Sequence, residues 1–248
     1  MNETATPIDA VASAITSPAV PDVESPGDGA HEALAEQPLS PTARSTVRRM
    51  RERARVDRAD LYAVLDAASV CHLGVVADGA PVVLPTCYGR DGNTLYLHGS
   101  TGARSLWGDG EVCVTVTLLD GIVYGRSVMH CSANYRSAVV HGRLRALDGA
   151  DKLHGLRVIV DHMTPGWWDH ARSPSRKELA ATAVLALDLS EAAVKVRTGD
   201  PGDDPADIAR GGVWAGVLPL RQVWDPPIPS TDLESALDVP DVVTARVG

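Results

Sequence analysis

The feature that most constrains this chain is a quick succession of apolar runs broken by two-residue polar–glycine turns. Residues 70–76 run into Asp78-Gly79, residues 81–88 run into Asp91-Gly92, and residues 94–98 follow at once. Such turns need a positive φ that Asp and Gly tolerate, and their twist suits the strands they join. Three strands therefore form an antiparallel meander. Further strand-like runs lie at 112–119, 137–146, 183–189, 194–197 and 213–218. There is no regular strand–helix–strand rhythm, which disfavours a doubly wound nucleotide fold. The expectation is a mainly β (α+β) chain, an antiparallel barrel closing on itself with a few peripheral helices.

Composition points the same way. Aromatic residues make up 4% of the chain and Phe is absent, so the core must rest on Val, Leu, Ala and Ile. β-Branched side chains favour a pleated surface. Two helices are expected. Leu61, Val64, Leu65 and Ala68 recur at helical spacing after Asp57 or Asp60, and Leu153, Leu156, Val160 and Met163 share one face after Asp148 or Asp151. Residues 103–107 suit a short helix and residues 167–175 a loop.

The chain divides into three parts. Residues 1–43 are rich in Ala, Pro and Ser and carry seven acids without Lys or Arg, so disorder is expected there. Residues 44–225 form the folded domain, and the Pro- and Asp-rich segment 226–248 reads as a loose tail. Of the net charge of −9, the first segment supplies −7 and leaves the rest near neutral. That argues against a nucleic-acid partner. The Arg cluster from Arg44 to Arg58 reads as a solvated lead-in, its stems lying on the domain surface. Cys71, Cys87, Cys113 and Cys131 form no C-x-x-C pair and read as reduced thiols. No apolar run approaches the roughly 20 residues of a membrane span, and no signal-peptide pattern opens the chain. A cytoplasmic protein without a membrane partner is expected.

Two stretches carry chemistry. In Leu95-Tyr96-Leu97-His98-Gly99-Ser100-Thr101-Gly102-Ala103-Arg104-Ser105 a strand ends in a Gly/Ser/Thr turn followed by an arginine. Turn amides, a hydroxyl and a guanidinium there suit a phosphate dianion. The alternative is an ordinary junction whose Arg104 points to water. In the second stretch, 126–137, Tyr135, Asn134, Arg126, Arg136, His130 and Cys131 crowd before an apolar run, as in a site wall or subunit contact. No metal site is expected, because adjacent His130 and Cys131 lack a second ligand pair. His72 and His141 read as hydrogen-bonded core histidines. Trp167 and Trp168 suit interface packing or a lid, and Lys195 and Arg197 share a strand face that could meet an anionic cofactor or cover a sheet edge.

These motifs resemble the FMN-binding superfamily that includes pyridoxamine 5'-phosphate oxidase, and especially its nitroimidazole-reductase-like branch. The likeness rests on Pro81-Val82-Val83-Leu84-Pro85-Thr86, Leu95-Tyr96-Leu97-His98-Gly99-Ser100, Asn134-Tyr135-Arg136-Ser137 and Trp214-Ala215-Gly216-Val217-Leu218-Pro219-Leu220. It implies a split β-barrel and a homodimer with FMN between the subunits. Val82, Val83, Leu84, Pro85 and Thr86 would run beside the flavin ring, and His98, Gly99, Ser100, Arg104 and Ser105 would hold its phosphate. Asn134, Arg136 and Ser137 would face flavin near the dimer contact, with Trp214 closing from the second subunit.

Pyridoxamine 5'-phosphate oxidase itself ends in an Arg- and His-bearing segment. Here that segment reads Val223-Trp224-Asp225-Pro226-Pro227-Ile228-Pro229, so vitamin B6 oxidation is not implied. The resemblance instead implies an FMN-dependent oxidoreductase acting on a small organic molecule, with NADH or NADPH as electron donor. A non-catalytic flavin carrier or sensor is the alternative. Among cofactors, FMN ranks first, a deazaflavin second and haem third. No catalytic residue stands out.

Overall fold

The computed structural model describes residues 38–39, 42–103, 110–234 and 237–247. The segment 1–43, expected to be disordered, lies almost wholly outside the described residues. So do most of the helix expected at 103–107 and the site residues Arg104 and Ser105. Where description begins, Leu39 is already buried, and its amide bonds the Val56 carbonyl.

Among the described residues, ten strands form one antiparallel sheet. In chain order they are β1 Ala54–Arg55, β2 Val70–Ala77, β3 Ala80–Asp91, β4 Thr94–Ser100, β5 Glu111–Tyr124, β6 Ser132–Arg143, β7 Arg145–Ala146, β8 Thr182–Asp188, β9 Ala192–Arg197 and β10 Gly216–Pro219. Across the sheet the order is β1-β9-β6-β5-β2-β3-β4-β8-β7, and β10 pairs with the far end of β5. The two expected turns are present, with Asp78 and Gly79 at φ 52° and 78° and Gly92 at 52°.

Side-chain alternation builds the core. Cys71, Leu73 and Val75 of β2, Leu95 and Leu97 of β4, and Val112, Val114 and Val116 of β5 all point inward. The helices are α1 Arg58–Ala67, α2 Gly149–Met163, α3 Trp167–His170, α4 Arg176–Ala181, α5 Pro205–Arg210 and α6 Asp241–Thr244. Leu61, Val64 and Leu65 of α1 are buried in the core as the spacing predicts.

Several expectations are corrected. The barrel does not close by backbone pairing. Its ends approach through side chains, so a Cβ on Gly142 of β6 would meet Leu187 of β8 at 2.9 Å. The cause is β3, which pairs with β2 over Ala80–Cys87 and then with β4 over Tyr88–Asp91, turning the sheet through a corner. α2 buries Gly155 and Ile159, not Leu153, because Tyr96 fills the space where a side chain at 155 would stand. Trp167–His170, expected within a loop, is a helical turn. Arg58 is buried, donating to Asn93 Oδ1 at 2.7 Å and to the Leu189 carbonyl at 3.1 Å. In the C-terminal segment, α6 docks beside Gly166, with Arg246 donating to the Met163 carbonyl and lying over the Trp224 ring. No helix among the described residues is long and apolar enough to cross a membrane.

Candidate functional site

The corner in β3 creates a cleft. Tyr88 pairs with Leu97, but on the near side of that pair β3 stays with β2 while β4 continues along β8 to Ser100. The strands part there, leaving Val82, Val83, Leu84, Pro85 and Thr86 on an edge no described strand covers. Pro81 and Pro85 have no N–H to give a ladder, so proline at these positions marks the strand as an edge. Val83, between them, is 62% exposed.

The other arm of the cleft is the end of β4. His98 Nδ1 is buried and has no hydrogen-bond partner, and burial holds the imidazole below its ordinary pKa. A neutral buried ring with one unused nitrogen is costly unless something meets it. Ser100 Oγ accepts from the Gly102 amide at 3.2 Å, and Thr101 Oγ1 donates to the Ala181 carbonyl, so the turn is pinned from within. Gly99 pairs with Ala183. Thus the structure brings Val82–Thr86 and His98–Ser100 to one cleft, while Arg104 and Ser105 fall outside description.

Asn134, Arg136, Ser137 and Trp214 are not at this cleft. They lie on β6 and before β10, with β2 and β5 between β6 and β3, roughly 14 Å away along the sheet. Each is engaged locally. Asn134 is buried, accepts from Arg197 and donates to the Gly199 carbonyl at 3.1 Å. Arg136 bonds Asp120 at 2.8 Å; Asp120 is the extra residue of a bulge between Leu119 and Gly121, which turns its carboxylate toward β6. Ser137 Oγ donates to the Lys195 carbonyl, and Trp214 leans on Tyr124 with ring centres 5.9 Å apart. One chain does not unite the two predicted halves.

The outer face of β2 and β3 holds a residue whose setting the sequence did not reveal. His72, expected in the core, is exposed. Beside it stand the exposed Val70 and, across its two ladders, Pro85 and the polar Thr115, with exposed Val83 on the diagonal and Val76 further along the same face. An imidazole thus sits on a partly apolar face adjoining the open edge. Its place was hidden because a strand places alternate residues on opposite faces, and a one-residue shift exchanges them.

Elsewhere, Asp203 was not singled out from the sequence. Its carboxylate is buried, accepting from the Arg126 amide at 2.9 Å and guanidinium at 2.8 Å and lying 3.3 Å from His130 Nδ1. Burial alone would raise its pKa, but the Arg126 bonds outweigh it and hold the carboxyl below its ordinary value. Trp167 and Trp168 line a hollow of about 390 Å³ with Leu156 and Val160.

A split antiparallel sheet with an open β3 edge and a pinned loop after β4 defines a class of flavin-binding fold. The family model of pyridoxamine 5'-phosphate oxidase matches residues 57–196, more than half of the chain, and the chain belongs to that family. It is 38% identical to the flavocytochrome Anf3 from Azotobacter vinelandii, covering 85% of this chain and 100% of that one, with a TM-score of 0.80. It is 35% identical to a FAD and haem binding protein from Mycobacterium smegmatis, covering 79% and 98%, with a TM-score of 0.76. A 5-nitroimidazole antibiotic resistance protein from Bacteroides thetaiotaomicron shares the fold at 24% identity and a TM-score of 0.51, covering 58% and 86%. No curated protein matches the chain.

Proposed function

We propose that this protein is an oxidoreductase that binds a flavin in the β3–β4 cleft and a haem on the adjoining His72 face, acting as a symmetric homodimer. The observation that carries the reading is the adjacency of the two seats: the unpaired edge of β3 is also the border of the partly apolar face around His72. Support comes from the two similar proteins, whose names give FAD and haem, and a flavocytochrome. FAD is therefore preferred to the FMN that the sequence motifs imply.

The residues fit both groups. For the flavin, the edge Val82–Thr86 offers backbone polar groups to the ring, and the orphaned His98 Nδ1 with Ser100 offers polar contact to the ribityl and phosphate. For the haem, His72 is an imidazole ligand on a surface whose valines and prolines suit a flat apolar macrocycle. When bound, the flavin supplies two-electron chemistry and the haem one-electron chemistry. Val82–Thr86 and His98–Ser100 would hold the flavin between the parting strands.

A dimer is supported by exposed apolar side chains about the β5–β10 pair. Ile122, Tyr124, Trp214, Leu218 and Leu220 are exposed together there, the kind of apolar surface that a partner covers. A symmetric contact would also bring the Asn134–Ser137 half of the predicted site to a cleft of the other subunit. An electron donor of the NADH or NADPH type and a small organic substrate complete the reading.

The test is the visible spectrum of the purified protein, with chromatography of the released flavin and a haem assay. Flavin bands with a Soret band are expected. His72→Ala should lose the Soret band and keep flavin. His98→Ala should weaken flavin binding about tenfold, the scale of one hydrogen bond to a charged group. A colourless protein that rebinds neither FAD, FMN nor haemin overturns the proposal, and unchanged haem content in His72→Ala overturns the haem seat.

A further inference from the structure

A second hollow, of about 650 Å³, lies where the 3-10 turn Arg51–Arg53 and β1 meet the end of β9 and the turn Val128–His130. Small-molecule sites span roughly 300–1,000 Å³. Its walls carry four guanidinium groups, Arg49, Arg53, Arg55 and Arg197, against two carboxylates, Glu52 and Asp200. The local balance is +2 in a chain whose net charge is −9.

The groove arginines contrast with the arginines that are tightly paired elsewhere. Arg44, Arg90 and Arg172 each meet a carboxylate at 2.7 Å or less. Arg197, 8% exposed, is held only by neutral oxygens: Asn134 Oδ1, the Gly199 carbonyl at 3.4 Å and the Asp200 carbonyl at 3.1 Å. Among the described residues no carboxylate bonds this guanidinium, so its charge is left uncompensated at the groove wall. Arg55 is half-buried, and its one hydrogen bond goes to the Ala54 carbonyl at 3.2 Å. Arg53 has the exposed Glu52 at 3.7 Å, too long for a hydrogen bond. The turn that presents them starts from Met50 at φ 55° and ψ 57°, a left-handed conformation uncommon outside glycine.

We infer that this groove binds the pyrophosphate of a nucleotide. Guanidinium forks match phosphate oxygens in pairs, which a compact ammonium cannot do. The volume exceeds what a single inorganic anion needs and leaves room for a sugar and base. Met50, Met129 and Val196 supply an apolar flank for the base. The same chemistry has two sources, a free dinucleotide such as the electron donor or the adenosine diphosphate half of a flavin seated in the other subunit's cleft of the proposed homodimer, since this chain's own β3–β4 cleft lies four strands away.

ADP is the probe for both. Full-length protein, flavin-loaded and flavin-stripped, is titrated with ADP by calorimetry. Saturable binding that weakens tenfold or more in Arg55→Ala and in Arg53→Ala, and not in the exposed Arg176→Ala, is the expected result. Binding to both forms assigns the groove to a separate nucleotide. Binding only to the stripped form assigns it to the flavin's own diphosphate. Absence of saturable binding to either form overturns the inference, as does affinity unchanged in both groove variants. Because stripped protein suffices, the outcome is independent of whether the β3–β4 cleft holds a flavin.

Discussion

Gly89 lies just past the change of partner between Cys87 and Tyr88 of β3, and a methyl group there tests the geometry beside the cleft. A Cβ on Gly89 would stand 2.5 Å from the Val158 carbonyl oxygen, 2.7 Å from its carbon and 2.8 Å from Ile159 Cα. Ordinary contact begins at 3.4 Å, so the closest approach falls short by about 0.9 Å. All three atoms are backbone of α2 and no rotamer change relieves them. The helix must move off the sheet, loosening Ile159, which is 2% exposed. Overpacking of this kind costs about 1–3 kcal/mol, and the rigid partners put Gly89→Ala at the upper end. Reduced freedom of the unfolded chain returns about 0.4–1 kcal/mol, leaving a net loss of roughly 2 kcal/mol. For a protein of this size that is about 4–8 °C in Tm. Urea unfolding of Gly89→Ala beside Gly202→Ala, whose Cβ would meet nothing within 4 Å, provides the comparison. If Gly89→Ala unfolds at the wild-type midpoint, α2 does not lie against β3 as described. Cofactor retention should fall with stability, since the same residue adjoins the parting of β3 and β4.

Three further outcomes follow from the same coordinates. Arg58→Met removes the buried bonds to Asn93 and the Leu189 carbonyl and should cost about 2–3 kcal/mol in urea unfolding; an unchanged midpoint would refute their contribution. The Glu191 carboxyl is held at about 2 by hydrogen bonds from Arg44 and Thr42. A depressed folded-state pKa contributes stability above the unfolded value of about 4.3, lost as pH falls toward 2, so Glu191→Gln should lower stability at neutral pH, flatten that part of the acid limb and converge with wild type near pH 2. Burial pushes the Cys71 thiol up to about 12, whereas Cys131 is exposed. Alkylation of native protein followed by mass mapping should modify Cys131 first and Cys71 only after unfolding; early labelling of Cys71 would contradict its burial.

Much of the fold is legible in local chemistry. The Asp78-Gly79 and Asp91-Gly92 turns, the alternation of Cys71, Leu73 and Val75, and the helical spacing of Leu61, Val64 and Leu65 each act within a few residues, where backbone preference and side-chain period decide the outcome. Reading failed where the partner lay far along the chain. The polar stretch before Ala138 read as a site wall or subunit contact, and its second half, from Ser132, is strand. Its far end pairs with β5 beyond the reach of β2, so its side chains serve an ion pair and a hydrogen-bond network instead of a core.

The same division holds for the site. The sequence by itself determined the two arms of the cleft, because the Pro81–Thr86 edge and the His98–Ser100 turn are each contiguous and carry their signals in order. Only the tertiary structure decided that these arms part from one another, that His72 stands on an exposed, partly apolar face, and that Arg197 lies buried without a counter-charge among the described residues. The reason is physical. Turn type and alternation are properties of neighbours in the chain, whereas a strand's change of partner, the face it exposes and the field around a buried guanidinium depend on what long-range pairing places beside them.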